Sequence, residues 1–393
     1  MERVCVVVFL SVISMHFADC LAAAVQNEEV SSSIAIRPVT SAHPVVGSDE
    51  RIHIPYELEI VNQSGILVTV ERVEVLDSDG RKLDEVTGEP LAARIRISGG
   101  ESGKTFGPSH SGYLFMDVTL PKGSRIPSLM KHRVSIMRQL RAKPGDDHTG
   151  APLPAGIDAS VSFEGIELPV DQSAPVTINP PLRGAGWVAF NGCCDELNSH
   201  RSTILAINGA LRVFERFAID FVQFDSSNRL FNGDASALAS YAYFGTLVYS
   251  VAEGTVSKVV DGAPEQTPGK VAPGLTLATA GGNEVVVDIG GGRFALYAHL
   301  QQNSISVKVG DRVRVGGVLG RIGNSGNTDA PHLHFQIMDA QSNSLPFVIT
   351  DFAGQGMVTG GAIFRGEAAI IENKFTGSHT SAFPLNKHVL RFE

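Results

Sequence analysis

Short runs in which apolar and polar residues alternate recur along almost the whole 393-residue chain, and turn-forming residues separate them. Successive side chains of a strand point to opposite faces of a sheet, so a period of two is typical of half-buried strands. Helical periodicity is almost absent from the first half of the chain. The runs in that half are residues 51–60, 68–75, 93–97, 113–118 and 131–136. The pattern predicts an all-β fold.

The spacing of these runs divides the chain into parts. Several short strands with turn signals between them predict an immunoglobulin-like β-sandwich over residues 36–180. Prolines at Pro180 and Pro181 oppose strand pairing and predict the join to a second domain. Strand patterns resume over residues 185–350. Residues 351–393 are expected to form a C-terminal β tail that packs on the second domain, with strands at 361–364 and 389–392.

The first 24 residues differ from the rest of the chain. A charged start is followed by an apolar run over residues 4–13 and by Ala22, Ala23 and Ala24, which is typical of a secretory signal peptide. The run is shorter than the about 20 residues of a membrane span, and no later stretch is long and apolar enough. We therefore expect a secreted protein of the bacterial periplasm with no integral membrane span after cleavage.

Charge and cysteine usage exclude several other classes. The formal net charge is −9, so a nucleic acid is not expected as a partner. Outside the predicted signal peptide the only cysteines are the neighbours Cys193 and Cys194. They could form a vicinal disulfide, act as thiolates, or be small buried residues, and we favour the last. No Cys-x-x-Cys spacing indicates a structural zinc site.

One run carries candidate chemistry. Residues 323–338 begin with a turn rich in Gly, Asn and Ser and continue as an alternating strand. In that strand His332 and His334 share a face, with side chains about 6.5 to 7 Å apart. One imidazole could bind a metal while the other faces a substrate. The alternative is that both are ordinary polar residues on the solvent-exposed face of a half-buried strand.

Two further segments favour the functional interpretation. Residues 216–221 read Arg-Phe-Ala-Ile-Asp-Phe, and residues 294–300 read Phe-Ala-Leu-Tyr-Ala-His-Leu. A glycine-containing hairpin pattern over 306–320, with a strand at 306–309, lies between the second segment and the His-x-His strand. In this order and spacing the segments resemble the M23 family of zinc metallopeptidases, the lysostaphin and LytM-like enzymes that cut peptidoglycan cross-bridges. The resemblance covers residues 185–350 and implies an antiparallel β-sheet peptidase core.

The resemblance also implies roles for four residues. On matching positions, Asp220 and His334 become ligands of Zn²⁺, and His299 and His332 become catalytic. A zinc ion held by three protein ligands keeps a position for water and lowers its pKa to about 7. One imidazole would then manage the proton while the other stabilises the developing oxyanion. The implied reaction is hydrolysis of peptide bonds in peptidoglycan stem or cross-bridge peptides.

The sequence departs from the family at one ligand. The family usually has a histidine four residues before the aspartate, and here that position is Arg216, whose guanidinium has no lone pair to offer. His200 in the preceding loop is the best candidate for the third ligand. Weaker candidates are Cys193, Cys194 and Glu215.

Two alternatives to a peptidoglycan peptidase stay open. The site could be degenerate, so that the domain binds the cell wall or activates another cell-wall hydrolase. A general extracellular protease that acts on proteins is the other. The presence of Asp220, His299, His332 and His334 together favours an active enzyme, because a binding module has no evident need for all four.

Overall fold

The computed structural model describes residues 30–99, 101–146, 149–194, 197–270 and 272–393. The predicted signal peptide, residues 1–24, lies outside the described residues. Residues Ser32–Glu393 form one compact unit. None of the helices in the described part of the chain has the length and apolar character of a membrane span.

The prediction of an all-β chain is confirmed. In the first part of the chain one short helix, α1 (Gly88–Ala93), accompanies the strands. The strands there are β1 (Ile34–Pro38), β2 (Val45–Val46), β3 (Arg51–Asn62), β4 (Leu67–Asp77), β5 (Lys82–Thr87), β6 (Ile95–Ile97), β7 (Glu101–Ser102), β8 (Thr105–Phe106), β9 (Ser111–Pro121), β10 (Leu129–Arg141), β11 (Gly150–Ala151) and β12 (Ser160–Pro169).

These strands form two six-stranded sheets, which together we call the N-terminal sandwich. One sheet has the order β1-β3-β9-β6-β7 with β2 on β3, and the other has the order β11-β10-β4-β5 with β8 on β4 and β12 on β10. The inward-facing residues of both sheets share one hydrophobic core; Ile54 and Leu58 come from β3, and Val70 and Val134 come from the opposite sheet. Alternation along each strand thus supplies the buried face that two packed sheets need.

The rest of the chain builds mainly one large sheet. Between the strands of this part of the chain lie short 3-10 turns at Leu238–Ser240 and Ile363–Arg365. The strands are β13 (Val176–Ile178), β14 (Gly184–Phe190), β15 (Ile204–Ile207), β16 (Ala210–Val213), β17 (Ile219–Gln223), β18 (Leu247–Tyr249), β19 (Gly254–Val260), β20 (Asn283–Gly290), β21 (Arg293–Leu300), β22 (Arg312–Val313), β23 (Val318–Arg321), β24 (Leu333–Asp339), β25 (Ser344–Leu345), β26 (Phe347–Gly360), β27 (Ile370–Glu372), β28 (Gly377–Ala382) and β29 (His388–Phe392).

The order of the large sheet places the candidate segments next to one another. It runs β13-β26-β29-β14-β17-β24-β21-β20-β19-β22. The three strands β17, β24 and β21 pair antiparallel, so that Asp220 lies opposite His334, and His334 lies opposite Ala298. His299 follows Ala298 directly. Three segments that are far apart in the sequence therefore meet at the same end of three adjacent strands.

The strands at the end of the chain are integral to this sheet. β26 pairs with β29, which pairs with β14, and β13 pairs parallel to β26. The fully buried Phe347 on β26 packs edge to face against Phe335 on β24 and against Phe383, with ring centroids 5.3 and 5.0 Å apart. Residues after 346 thus pack directly on the strand that carries the histidine pair.

Three local predictions are wrong. Residues 306–309 form no strand; Ser306 donates one backbone hydrogen bond to Leu319, at 2.9 Å. Residues 361–364 run into the 3-10 turn at Ile363–Arg365 instead of a strand. Cys193 and Cys194 are both buried, as favoured, but they form a vicinal disulfide. By contrast, β29 covers the predicted strand at residues 389–392.

We expect Phe347→Ala to lower the free energy of unfolding by about 3 to 5 kcal/mol, because it removes a fully buried ring and leaves a cavity. Denaturant unfolding of the whole chain measures this loss. Phe364→Ala is the matched control, since that ring is 62% exposed, and it should cost less than about 1 kcal/mol. Equal losses would contradict an integral β26.

Candidate metal and catalytic site

Three side chains bring possible metal-binding atoms together. One donor atom each from His200, Asp220 and His334 lies within 4.8 Å of the other two. Nε2 of His200 is 3.2 Å from Oδ2 of Asp220, and Nδ1 of His334 is 3.0 Å from Oδ1 of the same carboxylate. The structure thus brings the residue that the sequence suggested as a third donor next to the other two.

Each of the three donors is fixed by its own segment. Asp220 and His334 face each other across the β17–β24 pair. His200 lies in the loop before β15, and its Nδ1 donates a hydrogen bond to the carbonyl oxygen of Ala218 at 3.1 Å. A carbonyl oxygen only accepts, so this bond leaves Nε2 of the neutral ring with its lone pair toward Asp220. The amide of Asn191 donates to Oδ2 of Asp220 at 2.8 Å.

The electrostatics of the group follow from burying a carboxylate among imidazoles. Burial alone would raise the pKa of Asp220, but the neighbouring His200 and His332 outweigh it and hold that pKa well below its usual range. For His200 burial acts in the opposite direction and would lower the pKa, but Asp220 raises it to about 9. In the protein without a metal, the carboxylate and His200 therefore form a buried ion pair.

The donor set fits a zinc ion. Zn²⁺ takes imidazole nitrogens and carboxylate oxygens at about 2.0 to 2.2 Å, and two such ligands at a tetrahedral angle lie about 3.4 Å apart. His200 lies 3.2 Å from Oδ2 of Asp220 and His334 lies 3.0 Å from its Oδ1, and both separations are close to that spacing. The other ring nitrogen of His200, Nδ1, donates to a backbone carbonyl, and a bond of this kind typically orients a metal-binding imidazole.

His299 and His332 lie beside this group. Their ring centroids are 4.7 Å apart. Nδ1 of His299 donates to the carbonyl oxygen of Ser325 at 2.8 Å, and Nδ1 of His332 donates to that of Ala330 at 2.8 Å. Both rings consequently keep Nε2 available, and Nε2 of His332 is 3.4 Å from Oδ1 of Asp220. The face that carries the His-x-His pair is therefore buried among the other side chains of the site, and the alternative of a solvent-exposed face is wrong.

Backbone conformation places His299. Its φ is 61°, in the left-handed region that non-glycine residues seldom occupy. The ring contact with Ser325 depends on a close approach of two loops, at Gly282 and Gly326, where φ is 60° and 82°. A Cβ on Gly282 would lie 2.4 Å from the carbonyl carbon and oxygen of Ser325. Glycine at that position is what allows the acceptor for His299 to come close.

The environment of His299 favours its neutral form. Burial lowers the pKa of His299 well below its usual value, and the neighbouring His332 and His334 lower it further. A neutral imidazole with Nδ1 protonated has a free lone pair on Nε2. Near pH 7 that nitrogen thus carries a lone pair and no proton.

The site opens into a groove with a cavity volume of about 580 Å³. The groove is lined by His200, Asp220, His299, His332 and His334, by the weaker candidate Glu215, and by the ion pair of Lys258 with Glu284. This volume is within the range of about 300 to 1,000 Å³ that is usual for ligand sites. The cavity can thus hold a ligand against the imidazoles.

Arg216 takes no part in the donor group. It is 1% exposed and its Nε donates to both carboxylate oxygens of Glu57 on β3, at 3.1 and 3.2 Å. Its Nη1 donates to the carbonyl oxygen of Ser41 at 3.2 Å. Burial alone would raise the pKa of Glu57, but the charges of Arg216 and Arg201 outweigh it and lower that pKa. Arg216, four residues before Asp220, therefore forms an ion pair with the N-terminal sandwich instead of binding a metal.

The weaker candidates are not brought into the donor group of the described residues. Cys193 and Cys194 are bonded to each other and offer no thiolate. Glu215 lines the groove, and its negative charge helps to raise the pKa of His200. Sequence reasoning missed Asn191 and Glu57, for which no local pattern exists. It also missed the Ser325 carbonyl, although the glycine-rich turn around it was a usable signal.

Comparison with known proteins identifies the family of this region. Residues 237–346 match the model of peptidase family M23, so the chain carries a domain of that family. Glycyl-glycine endopeptidase ALE-1 of Staphylococcus capitis is 42% identical over 71 residues, which are 18% of this chain and 19% of that protein. Lysostaphin of Staphylococcus simulans is 36% identical over 97 residues, 23% of this chain and 19% of that protein. The match thus spans about a fifth of each relative's length.

A zinc-containing peptidase from Vibrio cholerae is similar in structure at 14% identity, covering 75% of this chain and 80% of that chain, with a TM-score of 0.24. A similarity at this level carries nothing further about the chain. Asp220 and His200 both lie before the first residue of the family match, whereas His299, His332 and His334 lie within it.

We expect the contribution of His200 to stability to depend on pH in metal-free protein. Its folded pKa of about 9 lies above the ordinary 6.5, so its contribution is complete below about pH 6.5 and is lost as the pH rises through about 9. The difference in free energy of unfolding between wild type and His200→Gln should therefore shrink from pH 6 to pH 10. In an Asp220→Asn background the difference should be nearly constant, and a constant difference in wild type would contradict the ion pair.

Proposed function

We propose that the protein is a zinc-dependent metalloendopeptidase that hydrolyses peptide bonds in peptidoglycan stem or cross-bridge peptides. The observation that carries the proposal is the convergence of His200, Asp220 and His334 beside His299 and His332 in one groove. One of the relatives named above, ALE-1, is a glycyl-glycine endopeptidase. Because the match covers about a fifth of their length, substrate and activity stay proposals for this chain.

In this proposal His200, Asp220 and His334 hold the metal. When bound, Zn²⁺ polarises a peptide carbonyl and lowers the pKa of a coordinated water to about 7. Asn191 donates to the second oxygen of Asp220, which keeps the carboxylate in one orientation. Outer partners of this kind typically change metal affinity by about 10- to 100-fold when removed.

His299 and His332 would divide the proton chemistry. The neutral His299 accepts the proton of the attacking water at Nε2 and delivers it to the leaving amine, because its Nδ1 is already committed to Ser325. His332, held through Nδ1 by Ala330, directs Nε2 toward the group around Asp220. In its doubly protonated form the ring can donate from Nε2 to the oxyanion that develops on the substrate. General acid–base catalysis contributes about 10² to 10⁴ in rate.

The setting of the reaction is also a proposal. The predicted signal peptide, and with it secretion to the periplasm, lies outside the described residues and stays a prediction. Cell-wall peptides are the proposed partners. The presence of Arg216 at the usual ligand position favours the alternative, a degenerate domain. The position of His200 beside Asp220 favours the active enzyme.

Metal content tests the ligand assignment. We expect purified wild-type protein to bind one zinc ion per chain and His334→Ala to lose it, because one of three ligands is removed. His379→Gln is a control, since that ring stacks on Phe352 instead of lining the groove. Elemental analysis after dialysis measures the ratio. Full zinc content in both His334→Ala and His200→Ala would contradict the assignment.

Turnover separates the catalytic roles from the ligand roles. We expect His299→Ala to keep zinc and to lose about 10² to 10⁴ in kcat for release of peptide fragments from purified sacculi. Chromatography of soluble fragments measures the rate. Zinc binding without release from any muropeptide would favour the degenerate domain, and cleavage of an unfolded protein but not of sacculi would favour a general protease.

A further inference from the structure

The N-terminal sandwich contributes a buried carboxylate to the immediate surroundings of the site. Glu57 lies in the middle of β3 and is 0% exposed, and its two partners, Arg201 and Arg216, are each 1% exposed. Both arginines belong to the part of the chain that carries the candidate site. One acidic group of the sandwich thus pairs with two cations that are shielded from water.

Arg201 connects this carboxylate to a candidate metal ligand, because it follows His200 directly in the sequence. Its Nη1 donates to Glu57, its Nη2 donates to the carbonyl oxygen of Met116 on β9 at 3.1 Å, and its Nε donates to that of Cys194 at 3.3 Å. A guanidinium offers five donors in a fixed fork. One side chain therefore joins the His200 loop to two strands of the sandwich.

Other hydrogen bonds tie this loop to the part of the chain that carries the candidate site, among them the bond from His200 to Ala218. The amide of Asn198 donates to the carbonyl oxygen of Gly192 at 2.8 Å, and its Oδ1 accepts from the backbone of Arg201 at 3.0 Å. These bonds join neighbouring parts of one segment. Among the described residues, it is Arg201 that fixes the segment to the sandwich core with a buried charge.

We propose that Glu57 is a positioning residue for His200: through Arg201 it fixes the third metal ligand against Asp220, so the sandwich forms part of the zinc site. This inference rests on the proposed zinc site. If Glu57 loses its charge, Arg201 stays buried without its anion, and a buried unpaired charge is strongly unfavourable. The His200 loop must then shift so that the guanidinium reaches water.

Zinc affinity of the full chain, measured by competition with a chromophoric chelator, tests the proposal. We expect Glu57→Gln to weaken zinc binding by about 10- to 100-fold, as for other groups that orient a ligand. Glu59→Gln is the matched control, because Glu59 is two residues away on β3 and pairs with Arg37, whose side chain is 73% exposed. We expect that variant to stay within about threefold of wild type.

Coupling to His200 distinguishes positioning from general destabilisation. Once His200→Ala has removed the ligand, adding Glu57→Gln should weaken zinc binding no further. A loss of the same size in both backgrounds, or equal affinities of Glu57→Gln and Glu59→Gln, would overturn the proposal. If Glu57→Gln does not fold, Arg201→Lys replaces it, because this variant keeps the charge but lacks the fork; it should show the same dependence on His200.

Hydrogen exchange separates this inference from the proposed function. If wild type binds no zinc, the proposed function fails, and the amides of residues 197–203 decide the inference in metal-free protein. They should exchange at least about tenfold faster in Glu57→Gln than in Glu59→Gln, because the loop has lost its anchor. Unchanged exchange would overturn the positioning role.

Discussion

The largely buried carboxylate of Asp220, whose side chain is 13% exposed, is the constraint on which the site depends. It interrupts an apolar strand between the fully buried Ile219 and Phe221, where an unpaired charge would be strongly unfavourable. Its partners come from three other segments of the chain: Asn191 and His200 from the loop before β15, His332 from the turn before β24, and His334 from β24. Satisfying one carboxylate thus holds all of these segments in place.

A second buried carboxylate explains how an arginine can occupy the usual ligand position. Arg216 cannot bind a metal, and its charge needs an anion inside the protein. Glu57 supplies that anion and at the same time binds Arg201. Arg216 and the loop that carries His200 are therefore linked, because Arg216 and Arg201 both donate to the carboxylate of Glu57.

Much of this arrangement could be predicted from the sequence, and the remainder depends on distant contacts. The period-two runs predicted the long strands, including β3, β9 and β24, because alternation reflects burial on one face. The predictions of strands at 306–309 and 361–364 were wrong, because a strand also needs a neighbouring strand with which to pair. The Glu57–Arg216 pair spans 159 residues, and nothing in either local sequence indicates it. His200 could be suggested only as the nearest upstream histidine.

The division of roles within the His-x-His pair comes from the turn as much as from the strand. His332 precedes β24, where the carbonyl oxygen of Ala330 can reach its Nδ1 at 2.8 Å and turn Nε2 into the site. His334 lies within the ladder, where its Nδ1 faces Asp220 instead. Two identical side chains two residues apart thus present different ring nitrogens to one carboxylate, because Nδ1 of His332 has a backbone acceptor in the preceding turn, whereas Nδ1 of His334 lies against Asp220.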